Sequence, residues 1–410
     1  MKNQNRRIPK IRFVNFNDKW NYKTLDEISN AIEYGINAPA KNFDGIHKYL
    51  RITDIDDTSR LFLTAKLSSP DVDFSEENYE NYKLQKNDLL FARTGASVGK
   101  TYLYRESDGE VYYAGFLIRA RLHDSYDGNF VFQQTLTDKY KQFIDITSQR
   151  SGQPGVNGKE YGDWKIGIAS YSEQSAIGTL FRTLDDLLSS YKDNLTNYQS
   201  LKATMLSKMF PKAGQTVPEI RLDGFEGEWE VKKLKDVVQI NPKSALPEKF
   251  KYIDLESVVG TGINKIREEY KETAPSRAQR LAEKGDIFYQ TVRPYQKNNY
   301  LFKLDDVDYV FSSGYAQLRP KHTSCDSDFL LTLLQDNKFL SKVLDRCTGT
   351  SYPAINAKDL VEISIVIPKV EEQSAIGLYF SNLDNLINSH QEKISQLETL
   401  KKKLLQDMFI

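Results

Sequence analysis

The chain has 410 residues, 40% of them hydrophobic and 27% charged, with a formal net charge of zero. That length predicts two to four domains with ample core, and the balanced charge counts against a globally basic nucleic-acid binder, so any basic face must be local. Two cysteines, Cys325 and Cys347, exclude a disulfide framework. No apolar run reaches membrane-span length and no signal-peptide pattern opens the sequence, so a soluble cytoplasmic protein without a membrane partner is expected.

The N-terminus is locally basic (Lys2, Arg6, Arg7, Lys10, Arg12), either as a binding arm or simply as a solvated terminus. Strand-like runs follow at Lys48–Ile52, Leu89–Ala92, Lys100–Tyr104 and Gly115–Leu122, and a helical pattern covers Phe130–Ile144. Between the second and third runs lies Gly95-Ala-Ser-Val-Gly99-Lys100-Thr101. It has the letters of a phosphate-binding loop with one residue too few between the glycines, and it precedes a strand where such a loop must open a helix. Nucleotide binding is therefore not expected. With Arg93, Thr94 and Lys100 the segment is either a reader of phosphates or base edges or a plain hairpin turn. Arg51 is a further candidate. Gln153-Pro154-Gly155-Val156-Asn157 precedes a closing strand. Asn157, like Asn356 in the matching loop further on, suits base edges, since Asn and Gln pair with adenine, unless these asparagines cap a local helical turn; Gln153 is a further candidate.

From Glu173 the sequence EQSAIG opens a long amphipathic helix. Ile177, Leu184, Tyr191, Tyr198 and Met205 recur every seven residues, interleaved with Phe181, Leu188, Leu195, Lys202 and Met209. This is a coiled-coil seam on a helix of roughly 35 residues, roughly 50 Å long. Lys202 interrupts the seam, either snorkelling outward or setting register. The helix stops at Pro211, and a short Gly- and Pro-bearing linker follows.

The same plan then repeats. Ile8–Arg12, Phe16, Trp20 and Leu25 have counterparts in Val217–Arg221, Phe225, Trp229 and Leu234. Strand-like runs lie at Tyr252–Leu255, Ile287–Gln290 and Ile363–Ile367, and a helical pattern at Asp328–Leu344. Lys284-Gly285-Asp286-Ile287 parallels Lys86-Asn87-Asp88-Leu89. Gly314-Tyr315 is set against Gly115-Phe116, and Tyr352-Pro353-Ala354-Ile355-Asn356 against the Gln153 loop. Gln290, Thr291, Arg293, Lys297 and Asn356 are the candidate contacts here, although Arg293–Asn299 has none of the glycines of the Gly95 loop. EQSAIG returns at Glu372, and the register holds without a gap to the end of the chain. The second seam carries Ile376, Leu383, His390, Leu397 and Leu404, with Phe380, Ile387, Ile394, Lys401 and Met408.

Such repetition marks a tandem duplication of a whole domain, with copies over roughly 8–211 and 217–410. The expected fold is α+β: a variable domain at 1–168, a long helix at 169–211, a second variable domain at 212–367 and a second helix at 368–410. The helices are expected to pair as an antiparallel coiled coil through Phe181, Leu184, Leu188, Leu195, Phe380, Leu383, Ile387 and Ile394. The four histidines (His47, His123, His322, His390) form no metal-binding spacing. No catalytic constellation is found, and no Asn/Asp-Pro-Pro-aromatic methyltransferase motif occurs.

Two variable domains alternating with two long helices that begin with Glu173–Gly178 and Glu372–Gly377, each followed by Phe-x-x-Leu-Asp at 181–185 and 380–384, resemble the specificity subunit of type I restriction-modification systems. The resemblance covers essentially the whole chain. The Lys-x-Asp turns, the Gly95–Lys100 loop and the Gln/Tyr-Pro loops also look like features of that family's target recognition domains. It implies that each variable domain reads one half of a bipartite DNA site and that the paired helices set the spacer. It further implies that two methyltransferase subunits dock and that restriction-translocase subunits join them. S-adenosylmethionine is expected on the methyltransferase partner, with no cofactor and no metal bound by this chain. The competing reading is a non-enzymatic coiled-coil scaffold whose α+β domains bind proteins.

Overall fold

The computed structural model describes residues 7–75, 78–150, 152–349 and 351–410; Lys2 and Arg6 of the basic stretch lie outside them. The chain divides into two compact units, one formed by the described residues to Asp193 with Glu392–Ile410, the other by Asn194–Gln391.

In the first unit an antiparallel sheet runs in the order Ser29–Tyr34, Leu117–Leu122, Asp88–Ala92, Thr101–Leu103. After Asp88, its strand Asp88–Ala92 is apolar because both faces are covered. Side chains alternate across a strand, so Leu89 and Phe91 enter the core against the helices, while Leu90 and Ala92 enter a smaller core on the opposite face. The helical pattern of Phe130–Ile144 resolves into two helices, Gly128–Gln134 and Asp138–Thr147. The break falls where the Thr137 hydroxyl accepts the Tyr140 N–H and starts a new helix. A five-residue helix, Gly158–Gly162, leads to the closing strand Lys165–Ile168, which pairs antiparallel with Asn21–Thr24.

The second unit repeats this sheet as Val238–Ile240, Tyr315–Pro320, Ile287–Gln290, Tyr300–Leu301. Here too the helical pattern splits, into Ser327–Gln335 and Asn337–Leu344, with Asp336 capping the second helix. Ser364–Ile367 closes on Glu230–Lys233. The units diverge in the smaller sheet. Lys48–Leu50 runs parallel to Val111–Tyr113 alone, whereas Lys249–Ile253 and Tyr309–Ser312 are flanked by Arg267–Tyr270 and Ala278–Leu281.

The Lys-x-Asp turns recur for a physical reason. Asp88 and Asp286 are fully buried. Each carboxylate accepts an N–H from three residues upstream, Gln85 and Glu283, and grips an arginine on the next strand, Arg121 and Arg319, through two hydrogen bonds of 2.8–2.9 Å. The preceding residues, Asn87 and Gly285, both turn with positive φ, 67° and 94°.

Each long helix has 38 residues, Tyr171–Lys208 and Val370–Asp407. Every polar letter of EQSAIG except its serine has matched work in both units. Glu173 and Glu372 are buried and hold Arg12 and Arg221 in bidentate pairs. Arg12 is thus a structural residue, as is Lys10, which pairs with Asp407. Gln174 and Gln373 each accept the N–H of a helix-capping aspartate, Asp127 and Asp326, and donate to the end of the closing strand's connection, Ala169 O and Pro368 O. Gly178 and Gly377 let the next helix approach: a Cβ would meet Asp127 Oδ1 at 2.3 Å or Phe329 N at 2.7 Å.

Each unit also contains the end of one long helix. Leu188, Ile394, Leu397, Met408 and Phe409 share the first unit's core, with Phe181 and Phe409 rings 5.6 Å apart. Met205, Met209 and Phe210 join Phe380 and Leu383 in the second, with Phe210 and Phe380 6.2 Å apart. Ile387 is buried and Leu195 half-buried. The seam lysines do not snorkel to free solvent. Lys401 pairs with Asp185 and Lys202 with Asp384, each at 2.5 Å. Among the described residues no helix is long and apolar enough to cross a membrane.

Candidate nucleic-acid interface

In both units the loop after the central strand meets the proline loop before the short helix. Gly95 N–H donates to Pro154 O and Val156 N–H to Arg93 O; in the second unit Arg293 N–H donates to Pro353 O and Ile355 N–H to Thr291 O. Isolated bridges join Thr94 to Gly155 and Val292 to Ala354. A third segment completes the site through Arg93 N–H to Phe116 O and Thr291 N–H to Gly314 O.

These bonds fix which residues correspond. Arg93 matches Thr291, Gly95 matches Arg293, and Gly99 matches Lys297. Phe116 matches Gly314, so pairing Gly115-Phe116 with Gly314-Tyr315 is off by one. Arg93 and Arg293 are therefore not equivalent positions. The missing glycines of the second loop are also accounted for: Gly95 and Gly99 have φ of 76° and 81°, and Arg293 and Lys297 keep that left-handed conformation at 53° and 54°. A side chain in this region costs about 1–2 kcal/mol, so the second domain holds two cationic side chains where the first has glycines, at a cost in backbone strain.

Most of the sequence candidates are occupied within the protein. Arg51 forms a bidentate pair with Asp54. Lys100 is buried, donates to Ile55 O at 2.9 Å and pairs with Asp57. Asn157 and Asn356 cap the short helices Gly158–Gly162 and Ala357–Val361, accepting the Glu160 and Asp359 N–H groups. Gln290 is buried and donates to Val292 O and Gln296 Oε1. The Thr291 hydroxyl donates to Gly314 O. Lys297 donates to Gln335 O, the last carbonyl of a helix, and to Asn337 Oδ1; burial pushes its ammonium pKa down. Thr94 is half-buried, 3.5 Å from Pro154 O, and Gln153 stays exposed beside Gly95.

Arg93 and Arg293 remain. Neither has a carboxylate partner among the described residues. The Arg93 guanidinium lies 5.2 Å from the Tyr34 ring and 5.9 Å from Phe116, with one long contact to Gly115 O at 3.4 Å. That of Arg293 lies 4.4 Å from the Tyr352 ring. Phe116 is 61% exposed and Tyr352 62%, so these rings support the arginines from outside the core. The sequence reading misses Tyr34 and Phe116 as site residues; an aromatic beside a loop glycine was the available signal.

Gly95-Ala-Ser97-Val-Gly99 does carry the G-x-S-x-G letters of a hydrolase nucleophile elbow. An elbow joins a strand to a helix, whereas this loop joins two strands of a hairpin. Among the described residues no histidine lines the open cleft of about 1470 Å³ beside Ser97, where Arg60, Lys141 and Lys401 mix with Asp56, Asp145 and Asp185.

Residues 226–399 match the family model of the type I restriction modification DNA specificity domain. The chain is 24% identical over 344 residues to the type I restriction enzyme MjaVIII specificity subunit of Methanocaldococcus jannaschii, covering 78% of each. It is also 24% identical to that organism's putative MjaX specificity subunit, over 95% of this chain and 92% of the relative. Over nearly its whole length the chain is similar to type I restriction-modification specificity subunits. Its fold is similar to the crystal structure of a type I restriction-modification S subunit from M. genitalium, with a TM-score of 0.66 and 16% identity over 98% of this chain and 99% of that one. Specificity subunits carry the DNA-sequence role of their systems and are generally non-catalytic.

Proposed function

We propose that this chain reads a bipartite, asymmetric DNA site, one half through each α/β domain, and that its paired helices set the spacer and dock two methyltransferase subunits. Restriction-translocase subunits would join that assembly, and S-adenosylmethionine would belong to the methyltransferase partner. The carrying observation is the loop constellation built twice on one skeleton with different side chains on it. Shared backbone hydrogen bonds preserve the platform, and the two guanidinium groups without a carboxylate partner among the described residues, Arg93 and Arg293, stand at different positions on it. Two unlike readers imply two unlike half-sites. Antiparallel pairing of the helices is part of this reading. In the first unit, contacts at 181, 185 and 192 are made with 409, 401 and 398, ascending one helix while descending the other. The second unit gives 380 with 210 and 384 with 202.

The test is methylome sequencing of a cell carrying this chain with its methyltransferase partners, joined to a salt titration of duplex binding by the purified complex. A split, non-palindromic motif and steep loss of affinity with salt are expected. Absence of any motif dependent on this chain, with no duplex binding at low salt, would favour the protein scaffold.

A further inference from the structure

We infer that each domain reads a guanine through its loop arginine, Arg93 in the first and Arg293 in the second, so that each half-site contains a G·C pair fixed by that side chain. The inference rests on the bipartite-reader function proposed above and assigns the base and the residue. Three observations carry it. The two arginines have no carboxylate partner among the described residues, while the other cationic candidates, Arg51, Lys100 and Lys297, are spent on internal bonds. Each guanidinium rests against an exposed aromatic ring, Tyr34 and Phe116 or Tyr352, which fixes its plane and reduces the freedom lost on binding. Arg293 is also held in a left-handed conformation at a position that is glycine in the other domain, a strain that backbone packing alone does not require.

A planar guanidinium with a free fork matches O6 and N7 of guanine in the major groove, where two parallel hydrogen bonds distinguish G·C from every other pair. A phosphate accepts a guanidinium fork but is served as well by a lysine's point charge, and a ring that fixes the guanidinium plane matters most where two bonds must be aimed at one base edge. Because Arg293 stands at the Gly95 position and not at the Arg93 position, the two guanines are expected at different places within their half-sites.

The experiment uses the full methyltransferase complex. The wild-type methylome defines the two halves, and duplexes carrying 7-deazaguanine at each guanine in turn test the N7 contact. One guanine per half should lose about ten- to a hundred-fold in affinity. Arg93→Ala should remove that sensitivity and relax that one position in the first half, and Arg293→Ala should do so in the second. In each variant the untouched half reports that the chain is folded. Arg93→Lys, with the charge but not the planar fork, should restore at most part of the discrimination, and Arg93→Gln should shift it toward adenine. Equal weakening on every duplex with a flatter salt slope would make these arginines phosphate contacts and overturn the inference, as would a wild-type complex indifferent to deazaguanine. Failure of the underlying reading looks different: the wild-type complex would not discriminate between duplexes at all.

Discussion

Gly178 and Gly377 show how a single hydrogen atom can be required within a helix. Alanine is ordinarily favoured over glycine in a helix by about 1 kcal/mol. Here the added methyl would stand 2.3 Å from Asp127 Oδ1 in one unit and 2.7 Å from the Phe329 nitrogen in the other. Asp127 is itself the cap of helix Gly128–Gln134, so moving it loses a further hydrogen bond worth about 1 kcal/mol. Overpacking and cap loss outweigh propensity. Gly178→Ala and Gly377→Ala are expected to destabilise by about 1–3 kcal/mol in urea unfolding, while Gly152→Ala, whose methyl meets open space, should stay within about 0.5 kcal/mol. Stabilisation by either helix variant would contradict the close approach. The thiols offer a second residue-scale test. Burial pushes Cys325 up to about 12 and also raises half-exposed Cys347. Both are neutral at pH 8, and raising the pH ionises the exposed thiol first. Alkylation should strike Cys347 first and reach Cys325 only as urea opens the second unit; equal rates in native buffer would remove Cys325 from the core.

Among the elements, the long helices combine an apolar seam with one buried-edge ion pair per unit. Asp185 takes Lys401 Nζ and Gln133 Nε2, with both charged side chains less than 20% exposed. Removing one partner strands the other beside Leu188 and Leu405. Asp185→Asn should therefore cost about 1–3 kcal/mol, and Asp384→Asn a similar amount through Lys202. Replacing both partners, Asp185→Leu with Lys401→Met, should recover part of that loss, because the desolvation penalty of the ion pair is removed while buried Gln133 Nε2 loses its acceptor. A double-mutant cycle with no coupling would refute the pairing. The helices were legible because their seven-residue period survives any surface change. The short capped helices were not, since five residues carry no period. The split at Thr135–Thr137 was hidden because its apolar residues continue the periodic pattern across a cap.

At the scale of the whole molecule, duplication could be read from EQSAIG and the Phe-x-x-Leu-Asp that follows, since both copies must satisfy the same buried bonds. The candidate site was only partly legible. Arg93 and Arg293 stand out by residue type, but so do Arg51, Lys100 and Lys297, and only the fold tells a free guanidinium from one already gripping Asp54 or a lysine capping a helix. Backbone hydrogen bonding pairs Arg93 with Thr291 and sets Arg293 at the Gly95 position. That distinction bears on the test of modularity. If the units read independently, exchanging residues 8–168 for the matching domain of a relative leaves the helices and the Gln290–Asn299 loop unaltered. Methylome sequencing of the exchanged chain with its own methyltransferase partners should then show the first half-site replaced, with the second half and the spacer unchanged. The junction at 168 follows the closing strand Lys165–Ile168, and Asn21–Thr24, its pairing partner, moves with it, so no sheet is divided. The ion pair of Arg12 with Glu173 does cross the junction, so the donor must supply an arginine there. With that pair kept, change in both halves, or in neither, would mean that the two copies do not read DNA separately.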